Sequence, residues 1–271
     1  MASLLGDTDL EPAAYLRAVG AIFATFDSRT QDSGNISFGV EAGGRRWFVK
    51  TAGNPDGTAF LTHPERVALL LNAQRLATVI HPALPHLHGV ACSAWGPMLV
   101  YDWVPGELLR AAADRRRDPA SAFQRFRSLP PEQLVAAIDT IIDAHVRLAA
   151  HGWVACDFYD GSILHDLAGR RTWLVDLDNY RAGPFINEMD RMFGSTRLMA
   201  PEEFERGAAI DARTTVFTLG RAFSVFLGDG TRNPSAFRGT ANQFRAMATA
   251  CRPDPADRFQ SVAELADAWR G

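Results

Sequence analysis

Cysteine is scarce in this chain. Cys92, Cys156 and Cys251 are the only three among 271 residues, and none has the paired spacing that holds a metal. That excludes a disulfide scaffold and fits free thiols in a reduced, cytoplasmic setting. Long apolar runs are missing too: nothing approaches the ~18 residues a membrane span needs. The opening MASLLGDTDLEP lacks the basic region of a secretory leader. Charge of one sign is also missing. A net charge of −3 leaves no electrostatic footprint for nucleic acid. The local cluster Arg110, Arg115, Arg116 and Arg117 reads as a solvated helix face. There is no internal repeat and no low-complexity tract. What remains is 47% hydrophobic, enough for one large domain or two packed lobes with real cores.

The informative stretch is residues 154–164, VACDFYDGSIL, followed by residues 173–178, WLVDLD. Each acid follows an apolar run, and a hairpin brings the two runs together. Asp157 and Asp176 are therefore expected near one another at a strand rim. Two carboxylates so placed repel unless a cation or a proton lies between them. Mg²⁺ takes oxygen ligands and phosphate and suits such a place.

Upstream, Glu11-Pro12 opens a short helix, and residues 21–26, 36–41 and 46–50 read as strands. Ala42-Gly43-Gly44 is a hairpin signal, so a small antiparallel sheet is expected. Lys50 closes the third strand, a place where Lys is ordinarily a solvated edge residue. Pro64-Glu65 opens a helix carrying Val67, Leu70 and Leu71. Residues 97–104 form a further strand ending in Pro105-Gly106. Residues 107–128 are charged and irregular, a solvated excursion or a flap facing substrate. Residues 131–151 have the pattern of a buried helix, with His145 and His151 packed or capping.

In this order the motifs resemble the protein kinase superfamily. Asp157 falls on the Asp of the catalytic loop H-R-D-x-x-x-x-N and Asp176 on that of D-F-G. Lys50 matches the lysine of V-A-I-K. Gly194-Ser195-Thr196-Arg197-Leu198-Met199-Ala200-Pro201-Glu202 resembles G-T-x-x-Y-M-A-P-E, and residues 254–259 resemble D-P-x-x-R-F. The nearest likeness is to divergent bacterial Ser/Thr-kinase-like proteins.

The resemblance implies an α+β, bilobal kinase-like fold, with an N-lobe over 1–103, a hinge over 102–106 and a C-lobe over 107–271. It implies ATP and Mg²⁺ as cofactors. Asp157, Lys50 and Ser195 are the catalytic candidates, with Ser195 hydrogen-bonding Asp157. Lys50, Gly34, Gly39 and the backbone at Asp102 and Val104 would hold the nucleotide; Asp176, Asp178, Asp160 and Ser162 would hold the metal. Glu202 and Arg258 should form a partly buried ion pair.

The departures from the family pattern are informative. Only Gly34 and Gly39 fit the Gly-rich loop, and Ile36 stands where its middle Gly belongs. The Glu that pairs with the family's Lys aligns with Asn72; Glu65, about two turns earlier, is the nearest acid. Cys156 replaces the Arg that receives an activating phosphate, Tyr159 the catalytic-loop Lys, Ser162 the Asn, and Thr215 the Asp that braces the loop. Tyr180 is the only hydroxyl between Asp176 and Ser195, so activity without phosphorylation there is expected. The resemblance implies a protein Ser/Thr acceptor. The alternatives are a small-molecule hydroxyl acceptor, as in aminoglycoside- and choline-type kinases, to which D-L-D is similar, or a nucleotide-binding pseudokinase.

Overall fold

Alternating apolar residues build the first sheet. In the computed structural model, which describes residues 4–28, 33–57, 59–110 and 116–271, the architecture is α+β and the chain divides into two units. Arg115, of the arginine cluster, lies outside the described residues.

The first unit comprises residues 1–80 and 85–104. It contains α1 (Pro12–Val19), β1 (Ala21–Phe26), β2 (Ile36–Ala42), β3 (Arg45–Thr51), α2 (His63–Leu76), β4 (Leu87–Ser93) and β5 (Gly96–Asp102). The strands form one antiparallel sheet in the order β1-β2-β3-β5-β4. The β2–β3 hairpin turns on Gly43 and Gly44, at φ 61° and 73°, values an L side chain resists. Period-two alternation gives the sheet two faces. Phe38, Val40, Val49, Met98 and Val100 pack with Tyr15 and Leu16 of α1 on one. On the other, Leu99 packs with Leu70 and Ala73 of α2. Lys50 pairs with Ser37 and Leu99, which puts it on the α2 face.

Glu65 closes a capping box at the start of α2: its Oε2 accepts from the Thr62 amide and hydroxyl at 2.7 Å each. It is thus a capping acid. Next to it, the buried Arg66 donates to the carbonyls of Ala52, Leu61 and Asn54 at 2.6, 2.6 and 2.8 Å, pinning the chain between β3 and α2.

The second unit comprises residues 81–84 and 105–271. It runs β6 (Glu107–Leu108), α3 (Ala122–Arg127), α4 (Pro131–Ala150), β7 (Trp153–Val154), β8 (Ile163–Asp166), β9 (Arg171–Leu174), β10 (Arg181–Ala182), β11 (Phe185–Ile186), β12 (Ala209–Ile210), α5 (Ala212–Leu227), α6 (Ala241–Ala250) and α7 (Val262–Arg270). α4 buries the stripe expected of it, and α5 is buried almost all round, as a central helix must be. Trp269 of α7 donates to Asp139 of α4 at 2.9 Å. Within the stretch 107–128, Ala122–Arg127 is helical rather than irregular. Ser121 caps α3, whose Phe123 and Phe126 are buried against Phe226. The sequence hides this because only two of the six α3 residues are apolar and large. Among the described residues, no helix is long and apolar enough to cross a membrane.

Candidate functional site

The hairpin of β8 and β9 carries the acidic stretch. β8 pairs with β9 from Ile163↔Leu174 to Asp166↔Arg171, and the Val175 amide donates to the Ser162 carbonyl at 2.9 Å. The turn holding Asp157 to Ser162 is thereby tied to the strand leading into Asp176. Asn179, three residues past Asp176, donates from Nδ2 to Asp157 Oδ2 at 3.0 Å. The two acidic loops thus meet side by side.

Both acids have left-handed backbone. Asp157 and Asp176 each lie at φ 58°; among the described residues the only other non-glycine with positive φ is Arg170, in the β8–β9 turn. Left-handed backbone costs an L-residue roughly 1–2 kcal/mol, less for Asp, and persists where the surroundings impose it. The turn before Asp157 is imposed by α5: the Ala155 amide donates to Thr215 Oγ1 at 2.9 Å, both buried. Thr215, standing where the resembled family has its bracing Asp, braces this loop with a hydroxyl.

The remaining sequence-predicted residues divide. Lys50 is 7% exposed on the α2 face of the first sheet, not at a solvated edge. It is also the only lysine in the chain, the other 27 basic side chains being arginine. That count was available from the sequence. Asp178 is buried. Asp160 is buried, and its Oδ1 accepts from Arg197 Nη2 at 2.6 Å. Ser162 is fully buried, and its hydroxyl faces the Asp157 carbonyl at 3.4 Å. Ser195 contributes its carbonyl, which accepts from Leu198 and Met199, while the side chain donating to Asp157 is that of Asn179.

In the first unit, Gly34 has φ 81°, and a Cβ there would lie 2.4 Å from that of Ala59. Gly39 is inside β2, under two rings: a Cβ would lie 2.7 Å from Phe23 and 2.9 Å from Trp103. Both glycines are therefore packed against the chain's own side chains. The Asp102 amide donates to His86 at 3.0 Å, and its carboxylate accepts from Arg45 at 3.0 Å and pairs with His88 at 2.9 Å. Val104 makes no hydrogen bond among the described residues.

Among the described residues, no group of three or more His, Cys, Asp or Glu could hold a metal. A closed all-protein cage is thus not built. Mg²⁺ commonly binds one or two carboxylates plus substrate phosphates and does not need such a cage.

Electrostatics around Asp157 are unusual. Burial, and then the charges of Glu202 and Asp157, push Glu203 up to about 8, although its Oε2 accepts from the Ala200 amide at 2.6 Å. Burial likewise pushes the Cys156 thiol up to about 12, so this cysteine is a packed, inert side chain. Tyr180 is buried and donates its hydroxyl to His145 Nε2 at 2.7 Å, while His145 Nδ1 donates to the Ile141 carbonyl at 2.7 Å. Tyr180 is thus a core residue that fastens the D-L-D-N turn to α4.

Burial pulls His145 down from 6.5 to about 4, so the fold holds it neutral. Between those values the unfolded chain takes up a proton that the folded one refuses. This contribution is whole above pH 6.5 and lost as pH falls toward 4, a total of order 3 kcal/mol. Urea titrations between pH 7 and pH 4 should show stability falling over this window. The fall should be shallower in His145→Leu; an equal slope in both would refute the assignment.

No family model matches the chain, and no curated protein matches it.

Proposed function

We propose that this protein is an ATP- and Mg²⁺-dependent phosphotransferase with a bilobal kinase-like fold, acting in the cytoplasm on a Ser/Thr hydroxyl of a protein. The observation that carries the reading is the pair Asp157 and Asp176. The two acids that motif spacing singles out are the two held in left-handed backbone, with Asn179 joining their loops. The single buried lysine, Lys50, supports it.

In this reading Asp157 accepts or orients the acceptor hydroxyl proton, and Asn179 fixes the rotamer of its carboxylate. Asp176 and Asp178 hold the cation. Lys50 binds the α- and β-phosphates. Mg²⁺, when bound, neutralises charge developing on the phosphates. The remaining catalytic power comes from positioning, so the chain's task is to keep these few groups rigid. The buried Glu202–Arg258 pair beneath the A-P-E turn favours a protein acceptor, because it secures the platform on which a peptide would lie. A nucleotide-binding module without transfer is the alternative reading, favoured by Asn72 and Tyr159 standing where the resembled family has its Lys-pairing Glu and its catalytic-loop Lys.

The test uses the lone lysine. An amine-reactive ATP analogue should modify Lys50, and ATP with Mg²⁺ should protect it. In parallel, ³²P transfer from ATP is measured with generic protein acceptors and with a panel of small-molecule alcohols. Protection with label on protein supports the main reading, and label on a small molecule moves the acceptor class. Protection without transfer leaves the binding module. Modification of Lys50 unaffected by ATP rejects nucleotide binding altogether.

A further inference from the structure

The loop carrying Asp157 is held from one side by an ion pair that the phosphotransferase reading does not require. Asp160 lies three residues after Asp157, in a short 3-10 turn, and its side chain is 3% exposed. Its Oδ1 accepts from Arg197 Nη2 at 2.6 Å, while its Oδ2 is buried and has no hydrogen-bond partner. A buried carboxylate satisfied on one oxygen alone depends on its cation.

Arg197 comes from the segment between Gly194 and Ala200, and its side chain is 26% exposed. It is held from two further sides. Arg221 of α5 donates to the Arg197 carbonyl at 2.9 Å, and the guanidinium stands 5.8 Å from the centre of the Phe123 ring in α3. Arg221 is itself anchored on the Gly230 carbonyl at 3.0 Å. Arg197 is therefore a fixed cation reaching from a well-braced backbone to a buried acid.

We infer that Arg197–Asp160 is a permanent latch between the segment of residues 190–199 and the Asp157 loop. It makes between segment and loop the kind of ion-pair tie that an added phosphate could form with a cation, but with the opposite polarity: the cation is on the segment and the anion on the loop. Two absences in the chain fit such a latch. Cys156 offers no cation beside Asp157 to receive a phosphate, and the one hydroxyl between Asp176 and Ser195, Tyr180, is buried on His145. Arg197 is then a positioning residue. It touches no reacting atom, but holds Asp157 where the acceptor must meet it.

The inference rests on the phosphotransferase reading only for its kinetic readout. The experiment compares the full chain with Asp160→Asn, Arg197→Ala and Arg197→Lys by amide hydrogen exchange and by phosphate transfer. Asp160→Asn keeps the shape of the side chain, so it remains informative where Arg197→Ala fails to fold. Amides of residues 190–199 should exchange at least ~10-fold faster in Asp160→Asn and Arg197→Ala, with α4 and α5 unchanged. The turnover number should fall about 100-fold with the KM for ATP nearly constant, as expected of misplacement rather than lost binding. Arg197→Lys, which keeps the charge but not the planar fork, should lie between. Unchanged exchange over 190–199, or exchange raised equally in α4 and α5, overturns the latch. If the native chain transfers no phosphate, the functional reading fails while the exchange comparison still decides the latch.

Discussion

Arg258→Ala should be the most destabilising single substitution in the second unit, costing about 3–5 kcal/mol. Arg258 is fully buried at its side chain and meets Glu202 with both forks, Nη1 to Oε1 at 2.6 Å and Nη2 to Oε2 at 2.9 Å. Its other protons go to the carbonyls of Arg252, Arg213 and Pro253 at 2.7, 3.0 and 2.7 Å. Truncating it strands a carboxylate that is 8% exposed and whose one other donor is the Thr214 hydroxyl at 2.9 Å. It also frees three carbonyls. The melting temperature should drop by roughly 10 °C, at ~2–4 °C per kcal/mol for a chain of this size class. Glu202→Gln removes the charge but keeps the shape and should cost less. A double substitution, Glu202→Leu with Arg258→Met, should recover much of the loss, because burying two apolar groups avoids the desolvation that the pair must offset. A melting temperature for Arg258→Ala within a degree or two of the native value would show that the pair contributes nothing.

That pair was legible in the sequence, since its two residues sit in short motifs 56 positions apart and both are recognisable alone. So were the strands of the first sheet, where alternation and the double glycine agree with the observed register. What was not legible depends on contacts that no local pattern encodes. Arg197 lies in a stretch that reads as a motif, yet its partner Asp160 is 37 residues earlier and looked like a spare metal ligand. Asn179 directly follows D-L-D, and the only hint of its role was that adjacency. Thr215 read as a lost brace, because a hydroxyl and a carboxylate differ in charge; the backbone amide of Ala155 needs only an acceptor. Gly39 read only as one of two glycines fitting a Gly-rich loop; that the rings of Phe23 and Trp103 stand over it, from β1 and just past β5, is a tertiary contact no local pattern encodes. The sole lysine was the strongest composition signal for the site, and it is counted rather than inferred.

Asp176→Gly should abolish turnover while leaving the fold at least as stable as Asp176→Ala. Both substitutions delete the carboxylate proposed to hold Mg²⁺, so on the phosphotransferase reading both lose metal-dependent charge neutralisation, expected to cost about 10³-fold or more in rate. They differ in the backbone. At φ 58° alanine keeps a Cβ in the left-handed region, whereas glycine has none. The glycine variant should therefore be more stable than the alanine variant by roughly 1 kcal/mol, even though glycine elsewhere loses that comparison through chain entropy. The same ordering should hold for Asp157→Gly against Asp157→Ala, with rate losses of ~10²–10⁴-fold if Asp157 acts as general base. Paired urea unfolding and ATP-turnover measurements on the four variants check both halves. Glycine less stable than alanine at either position would mean the left-handed backbone is not imposed there. Stable glycine variants that retain turnover would mean the strain serves the fold and not the chemistry. Only the combination of more stable and inactive identifies the two positions as places where stability is given up for a site.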